Sequence, residues 1–261
     1  MTAPPAGRGR EQRQQLIADL VIERGSATAQ ELVVEFGVSL NTVHRDLDEL
    51  ERRGVVRKFH GGVSAQPSGV FESNVAYRLT RNLAEKQLVA RHAAELIHPG
   101  MSVMLDDSTT TLQLAPLLAE RAPLKVVTNY LGLMQRLRGV DGISLVSLGG
   151  EYDPTHDAFI GVACIDAIRA LRVDATFLSM SAVSGGSAFH QEDRIVAFKR
   201  PMLEVAARRY LLVDHTKLGR SALHQVVPLT DFDLVIVDDG AGPEALADLE
   251  QHGVRYEVAR A

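Results

Sequence analysis

From residue 102 onward, short unbroken apolar runs alternate with segments of helical period, and this alternation narrows the possible folds more than any other feature of the sequence. The apolar runs fall at 102–105, 125–128, 143–148, 175–180, 210–213 and 234–237. They lack the strict in-out alternation of a sheet with one wet face, so they read as strands buried on both sides. Helical segments lie between them at 111–119, 131–137, 165–171 and 194–208. Strand, helix, strand in repetition builds βαβ units, and βαβ units build an open, mostly parallel α/β sheet covered on both faces.

The N-terminal quarter has a different pattern. Leu16, Ile17, Leu20 and Val21 form one apolar stripe on a helix over 11–24, and Gly25 stops it. Thr28 and Glu31 form a T-x-x-E capping box for a second helix over 29–35. Gly37 can supply the positive φ of a tight interhelical turn, and Ser39 caps a third helix. Val43, Leu47 and Leu50 turn inward on that third helix, which leaves Asn41, Thr42, His44, Arg45 and Asp48 on its polar face. After Gly54, residues 55–62 read as two short strands about a basic turn, or as one strand leading into a glycine hinge. Three short helices and a basic wing form a unit whose third helix fits a major groove. Ser39, Asn41, Thr42, His44, Arg45, Arg57, Lys58 and His60 are the candidate DNA contacts. Arg45, Arg52, Arg53, Arg57 and Lys58 concentrate positive charge where third helix meets wing, although the whole chain carries a net charge of −5. The other reading is a small helical protein-interaction domain.

Pro67, Ser68 and Gly69 mark a linker without periodicity. The expected organisation is a flexible segment at 1–10, a winged helix-turn-helix at 11–63, a linker at 64–74 and an α/β domain at 75–261. The single cysteine, Cys164, reads as a packed helical residue, and no Cys/His cluster has zinc spacing, so neither metal nor cofactor is expected. His190, Glu192 and Asp193 could touch a metal but lack a second cluster, and read as a polar lid. No targeting core and no stretch of ~18 apolar residues is seen, so a cytoplasmic setting is expected and a membrane partner is not.

In the α/β half, polar groups gather where strands end. Asp106, Asp107, Ser108, Thr109, Thr110 and Thr111 follow the first strand and open a helix, presenting N–H groups and hydroxyls to an anion such as a phosphate. Such a run can also cap a helix and bind nothing. Thr128 and Asn129, Gly149 and Gly150, Ser179 to Ser184, and Asp214 with Lys217 occupy further strand ends, where open α/β sheets hold their ligands.

The stretch 39–47, Ser-Leu-Asn-Thr-Val-His-Arg-Asp-Leu, together with 57–62, Arg-Lys-Phe-His-Gly-Gly, resembles the DNA-binding signature of the DeoR family of bacterial repressors. His44 stands where that family often carries Arg. The resemblance continues through 106–111, 127–129, 148–150, Gly161, 174–177 and 214–219, in order and spacing, and covers nearly the whole chain. Asp107-Ser108 stands where many relatives have Ser-Gly. The resemblance implies a sensor domain similar to the fold of ribose-5-phosphate isomerase and glucosamine-6-phosphate deaminase, with a phosphorylated sugar as effector and Lys199 and Lys217 as its cationic partners. It implies a homo-oligomer, dimer or tetramer, that binds double-stranded operator DNA and represses a carbohydrate operon until the effector changes the placement of its winged helices. A regulator with a degenerate, non-sensing domain is the alternative. A third reading is an isomerase-like or deaminase-like enzyme using 238–240, Asp-Asp-Gly, which reads equally as a strand-end turn.

Overall fold

The computed structural model describes residues 9–65 and 75–260. Residues 1–8 of the expected flexible start, 1–10, and most of the expected linker, 66–74, lie outside the described residues. The chain divides into two compact units, Met1–Arg81 and Asn82–Ala261.

In the first unit, α1 (Arg10–Arg24) ends at Gly25, whose φ is 80°. A short strand, β1 (Ser26–Thr28), follows, and the Thr28–Glu31 capping box is closed in both directions at the start of α2 (Ala29–Phe36). Gly37 takes the left-handed conformation, φ 64°, so the chain can turn into α3 (Leu40–Arg52), where Ser39 Oγ accepts the Thr42 N–H at 3.2 Å. Of the two readings of the wing, the hairpin is the one formed: β2 (Val56–Phe59) pairs antiparallel with β3 (Gly62–Ala65). The second strand runs through Ser64 and Ala65, further than expected, and β1 joins it to make a three-stranded sheet. Ile17, Val21, Leu32, Val43, Leu47, Leu50, Val55 and Val63 close one core. Each large side chain there contributes roughly 1.5–3 kcal/mol by leaving water. The helix α4 (Val75–Thr80) belongs to this unit: Thr80 donates to Gln15 at 3.0 Å, and Arg81 pairs with Asp19.

The second unit opens with α5 (Leu83–Ala94), then β4 (Ser102–Leu105), and α6 (Ala115–Leu118) flanked by 3₁₀ turns. Next come β5 (Leu124–Thr128), α7 (Leu131–Leu137), β6 (Ile143–Ser147), the hairpin β7 (Glu151–Asp153) and β8 (Ala158–Ile160), and α8 (Val162–Arg169). The remainder is β9 (Val173–Leu178), β10 (Ala182–Ser184), β11 (Ser187–His190), α9 (Asp193–Glu204), β12 (Ala206–Val213), β13 (His224–Pro228), β14 (Leu234–Asp238), α10 (Pro243–Gln251) and β15 (Tyr256–Ala259). Seven strands form one sheet in the order β15-β14-β12-β9-β4-β5-β6, and every pairing in it is parallel.

The helix expected at 194–208 instead ends at Glu204, and β12 begins at Ala206. Ala206, Ala207, Arg208 and Arg209 favour helix locally, but β9 and β14 offer a partner on each side, and that pairing overrides propensity. The helix expected at 165–171 begins at Val162, directly after Gly161. The expected helix 111–119 is broken into a 3₁₀ turn, one α turn and a second 3₁₀ turn.

Candidate functional site

On the first unit, Asn41, His44 and Arg45 are exposed on α3 and Thr42 is half-buried, as the inward placement of Val43 and Leu47 requires. Asp46, on the opposite side, is 1% exposed and ties α3 to α1. It accepts from Arg13 Nε at 2.6 Å and from Gln14 Nε2 at 2.9 Å. Arg10, Arg45 and Arg52 line a cleft of about 410 Å³ beside this clasp. The wing is fastened to α3 as well. Glu51 accepts the Lys58 N–H at 2.8 Å, and the Lys58 ammonium pairs with Asp48. Arg57 and His60 are exposed on the wing, while Ser39 serves as the α3 cap. Two tethers therefore hold α3 and the wing together as one polar face, and preorganisation of this kind lowers the entropic cost of binding a partner.

In the second unit the chain travels from β4 outward through β5 to β6, then returns to the other side of β4 through β9. The sheet order thus reverses between β4 and β9, which is where an open α/β sheet leaves a crevice beyond its carboxyl ends. Asp106 clamps that gap. Its Oδ1 accepts from Ser108 N at 3.1 Å and Thr111 Oγ1 at 2.9 Å; its Oδ2 accepts from Ser179 N at 2.9 Å and from the Lys199 ammonium. Ser108 Oγ in turn accepts the Thr111 N–H at 3.1 Å.

Lys199, which sequence alone could have left on a solvated helix face, is 2% exposed on α9. Besides Asp106 it reaches Asp107 at 3.4 Å and donates to Ser179 O at 3.0 Å. Lys217 approaches from the far side, donating to Ser179 Oγ at 2.9 Å and lying 3.8 Å from Asp214. Burial alone would raise the Asp214 carboxyl, but the Lys217 ammonium, the Thr216 hydroxyl, the Lys86 charge and the Asn82 amide together hold it below the usual carboxylate range. Lys86 is itself 3% exposed on α5. Two ammonium groups thus converge on Ser179, the first residue after β9, in surroundings of low dielectric where an anion is held far more strongly than at a surface.

The other expected site residues divide. Thr109 O accepts from Gln113 at 3.1 Å, and Thr128 Oγ1 accepts the Tyr130 N–H at 3.1 Å. Thr110 Oγ1 and Asn129 Oδ1 are buried without a hydrogen-bond partner, although Asn129 Nδ2 donates to Phe159 O at 3.0 Å. Gly149 and Gly150 are exposed. Gly150 has a local reason to be glycine, because a Cβ there would stand 2.4 Å from Ile160 O with φ at +146°. Sequence reasoning passed over Ser179 as one of a run, and missed Lys86 and Asn82 altogether. The helical period of 83–94 could have pointed to α5 but not to the side of it that is buried.

A second buried cluster lies on the β7–β8 turn. His156 is enclosed between Asp153 at 3.5 Å and Glu192 at 3.2 Å, and Arg194 pairs with both carboxylates. His190 Nδ1 accepts the Glu192 N–H at 3.1 Å, which fixes the loop before α9. Among the described residues no group of three or more His, Cys, Asp or Glu could hold a metal ion, and no helix is long and apolar enough to cross a membrane.

Residues 13–68 match the DeoR-like helix-turn-helix domain, and residues 81–239 match the DeoR C terminal sensor domain. The chain is 31% identical to the glycerol-3-phosphate regulon repressor of Escherichia coli K12, over 95% of this chain and 98% of the relative. It is likewise 31% identical to the HTH-type transcriptional repressor GlcR of Bacillus subtilis, over 95% of this chain and 96% of the relative. A solved structure of ribose 5-phosphate isomerase A from Methanocaldococcus jannaschii aligns with 52% of this chain and 54% of its own, at 18% identity and a TM-score of 0.38.

Proposed function

This chain belongs to the DeoR family of transcriptional regulators, and from that premise we propose that it is a cytoplasmic, homo-oligomeric repressor of a carbohydrate operon, released from its operator by a phosphorylated sugar. The observation that carries the sensing half is the convergence of buried Lys199 and partly buried Lys217 on Ser179 at the reversal of strand order. A pair of cations, one buried and one partly buried, at the carboxyl ends of parallel strands suits an anionic metabolite, and the relative named for a glycerol-3-phosphate regulon points to a phosphorylated one. On the DNA side, Asn41, Thr42 and His44 face base edges, while Arg45, Arg57 and Lys58 supply phosphate contacts. Lys58 does so by exchanging its exposed Asp48 partner for a phosphate, a small cost for an ion pair in water.

A degenerate sensor is the weaker reading, because such a domain has no reason to keep two buried lysines and three buried carboxylates in register. An enzyme is not indicated: the family is one of regulators, and Asp238 spends both oxygens on His215 and the backbone of the next turn. Effector and operator are coupled reciprocally, so each lowers the affinity of the other by the same factor. The test is the melting temperature of the purified protein against sugar phosphates and their unphosphorylated parents. A shift with one phosphate, absent with its parent and abolished in Lys217→Ala while operator binding persists, is the expected result. No shift with any member, or an undiminished shift in Lys217→Ala, overturns the assignment.

A further inference from the structure

Pairing leaves the cleft between α1 and α3 with positive charge in excess. Asp46, Asp48 and Glu49 all line it, and each is met by a cation of its own: Asp46 by Arg13 Nε at 2.6 Å, Glu49 by Arg52 Nε at 3.1 Å, and Asp48 by the Lys58 ammonium. Two guanidinium groups in the lining remain. The Arg45 side chain has no hydrogen-bond or ion-pair partner among the described residues, and Arg10, 65% exposed, comes no nearer to Asp46 than 4.0 Å. The cleft, about 410 Å³, is roomy enough for a phosphate group. A phosphate between two such guanidinium groups takes charge-assisted hydrogen bonds from both. The 15-residue helix α1 begins at Arg10 with no side chain capping it, so the positive end of its dipole adds to the same opening.

Where the cleft lies on α3 is independent of its charge. At ~100° per residue, Glu49, which lines the cleft, and Glu51, which holds the wing through the Lys58 N–H, lie about 80° to either side of Asn41. Asn41 is exposed, and buried Leu50 stands directly behind it. A helix ~10–12 Å across fills a major groove ~12 Å wide, with a phosphate backbone along each side. With Asn41 toward the base edges, the wing meets one backbone and the cleft meets the other.

We infer that Arg10 and Arg45 together grip a backbone phosphate of the DNA strand opposite the one the wing contacts, which makes α1 part of the DNA interface. This rests on the reading of the first unit as DNA-binding. The test is fluorescence anisotropy of the full chain with a labelled duplex of mixed sequence, followed from about 50 to 200 mM salt. Wild type is compared with Arg10→Ala, Arg45→Ala, Arg57→Ala, Arg10→Ala/Arg45→Ala and Arg45→Ala/Arg57→Ala, with circular dichroism reporting the fold of each. Sequence-independent binding is carried by phosphate contacts, each worth about 0.9 in the slope of log affinity against log salt. Arg10→Ala and Arg45→Ala are each expected to lower the slope by about 0.9, and their double variant by about 0.9 as well, because the same phosphate is lost every time. Arg45→Ala/Arg57→Ala is expected to lower it by about 1.8, because two phosphates on two strands are lost. An unchanged slope in Arg10→Ala, or losses at Arg10 and Arg45 that add, overturns the shared site. If Arg57→Ala also leaves the slope unchanged, the DNA-binding reading falls with it; if Arg57→Ala lowers the slope, the cleft alone falls. Inorganic phosphate distinguishes a DNA backbone from a free anion as the occupant. A thermal shift with inorganic phosphate that Arg10→Ala abolishes, while duplex binding is unaltered, makes the cleft a small-anion site and overturns the assignment.

Discussion

Replacing Asp46 by alanine tests whether α3 is held on α1 by one buried carboxylate. Asp46 is 1% exposed and accepts from Arg13 Nε at 2.6 Å, Arg13 Nη2 at 3.3 Å and Gln14 Nε2 at 2.9 Å. Breaking a buried ion pair by removing one partner costs about 3–5 kcal/mol when the other charge stays buried. The Arg13 side chain is 16% exposed and can recover some hydration, whereas Gln14 is only 3% exposed and is left without its acceptor. A loss of about 2–4 kcal/mol is therefore expected for Asp46→Ala, and about half of that for Asp46→Asn, which keeps one acceptor oxygen. For a unit of this size, that lowers the melting transition of the N-terminal unit by about 10–25 °C. The assay is calorimetry and urea unfolding of the full chain, with Arg13→Ala and the double variant completing a cycle. A loss below about 1 kcal/mol, or single-variant costs that add to the double within about 0.5 kcal/mol, would refute the clasp. Operator affinity should fall in Asp46→Asn with an unaltered salt slope, since the phosphate-contacting cations remain.

The remaining predictions concern single residues. Arg45→Ala should weaken operator binding and lower the slope of log affinity against log salt by about 1, leaving effector-induced stabilisation intact; an unchanged slope in fluorescence anisotropy would remove Arg45 from the phosphate contacts. Gly150→Ala should cost about 1–3 kcal/mol and lower the melting temperature of the second unit by several degrees, because its Cβ meets Ile160 O at a strained φ. Asp214, whose folded carboxyl lies below its unfolded value, contributes stability that is present above about pH 4 and is lost as pH falls through the folded value. The acid limb of the stability curve should consequently be shallower in Asp214→Asn, and identical limbs would sink the attribution.

Local rules carried the sequence a long way. The capping box at Thr28, the left-handed Gly37, the Ser39 cap and the inward Val43, Leu47 and Leu50 are matters of one or two helical turns, and each was legible because its partners are near in sequence. The parallel sheet was legible for a related reason: a strand buried on both faces has to be apolar throughout, whatever lies beside it. The elements that escaped are those whose partners are distant. The strand β12 begins in a helix-favouring stretch because β9 and β14 are waiting on either side, and the sheet of β10, β11 and β13 joins segments more than thirty residues apart.

The site follows the same division. Sequence alone placed hydroxyls, carboxylates and lysines at strand ends, because strand ends can be read one at a time. Only the tertiary structure brought Lys199 and Lys217 to the two sides of Ser179, buried Lys86, made Asp106 a clamp between β4 and β9, and left Asn129 and Thr110 short of partners. Burial and hydrogen-bond satisfaction depend on which segments meet across the reversal of strand order, and that meeting is a property of packing, which no local window of sequence contains.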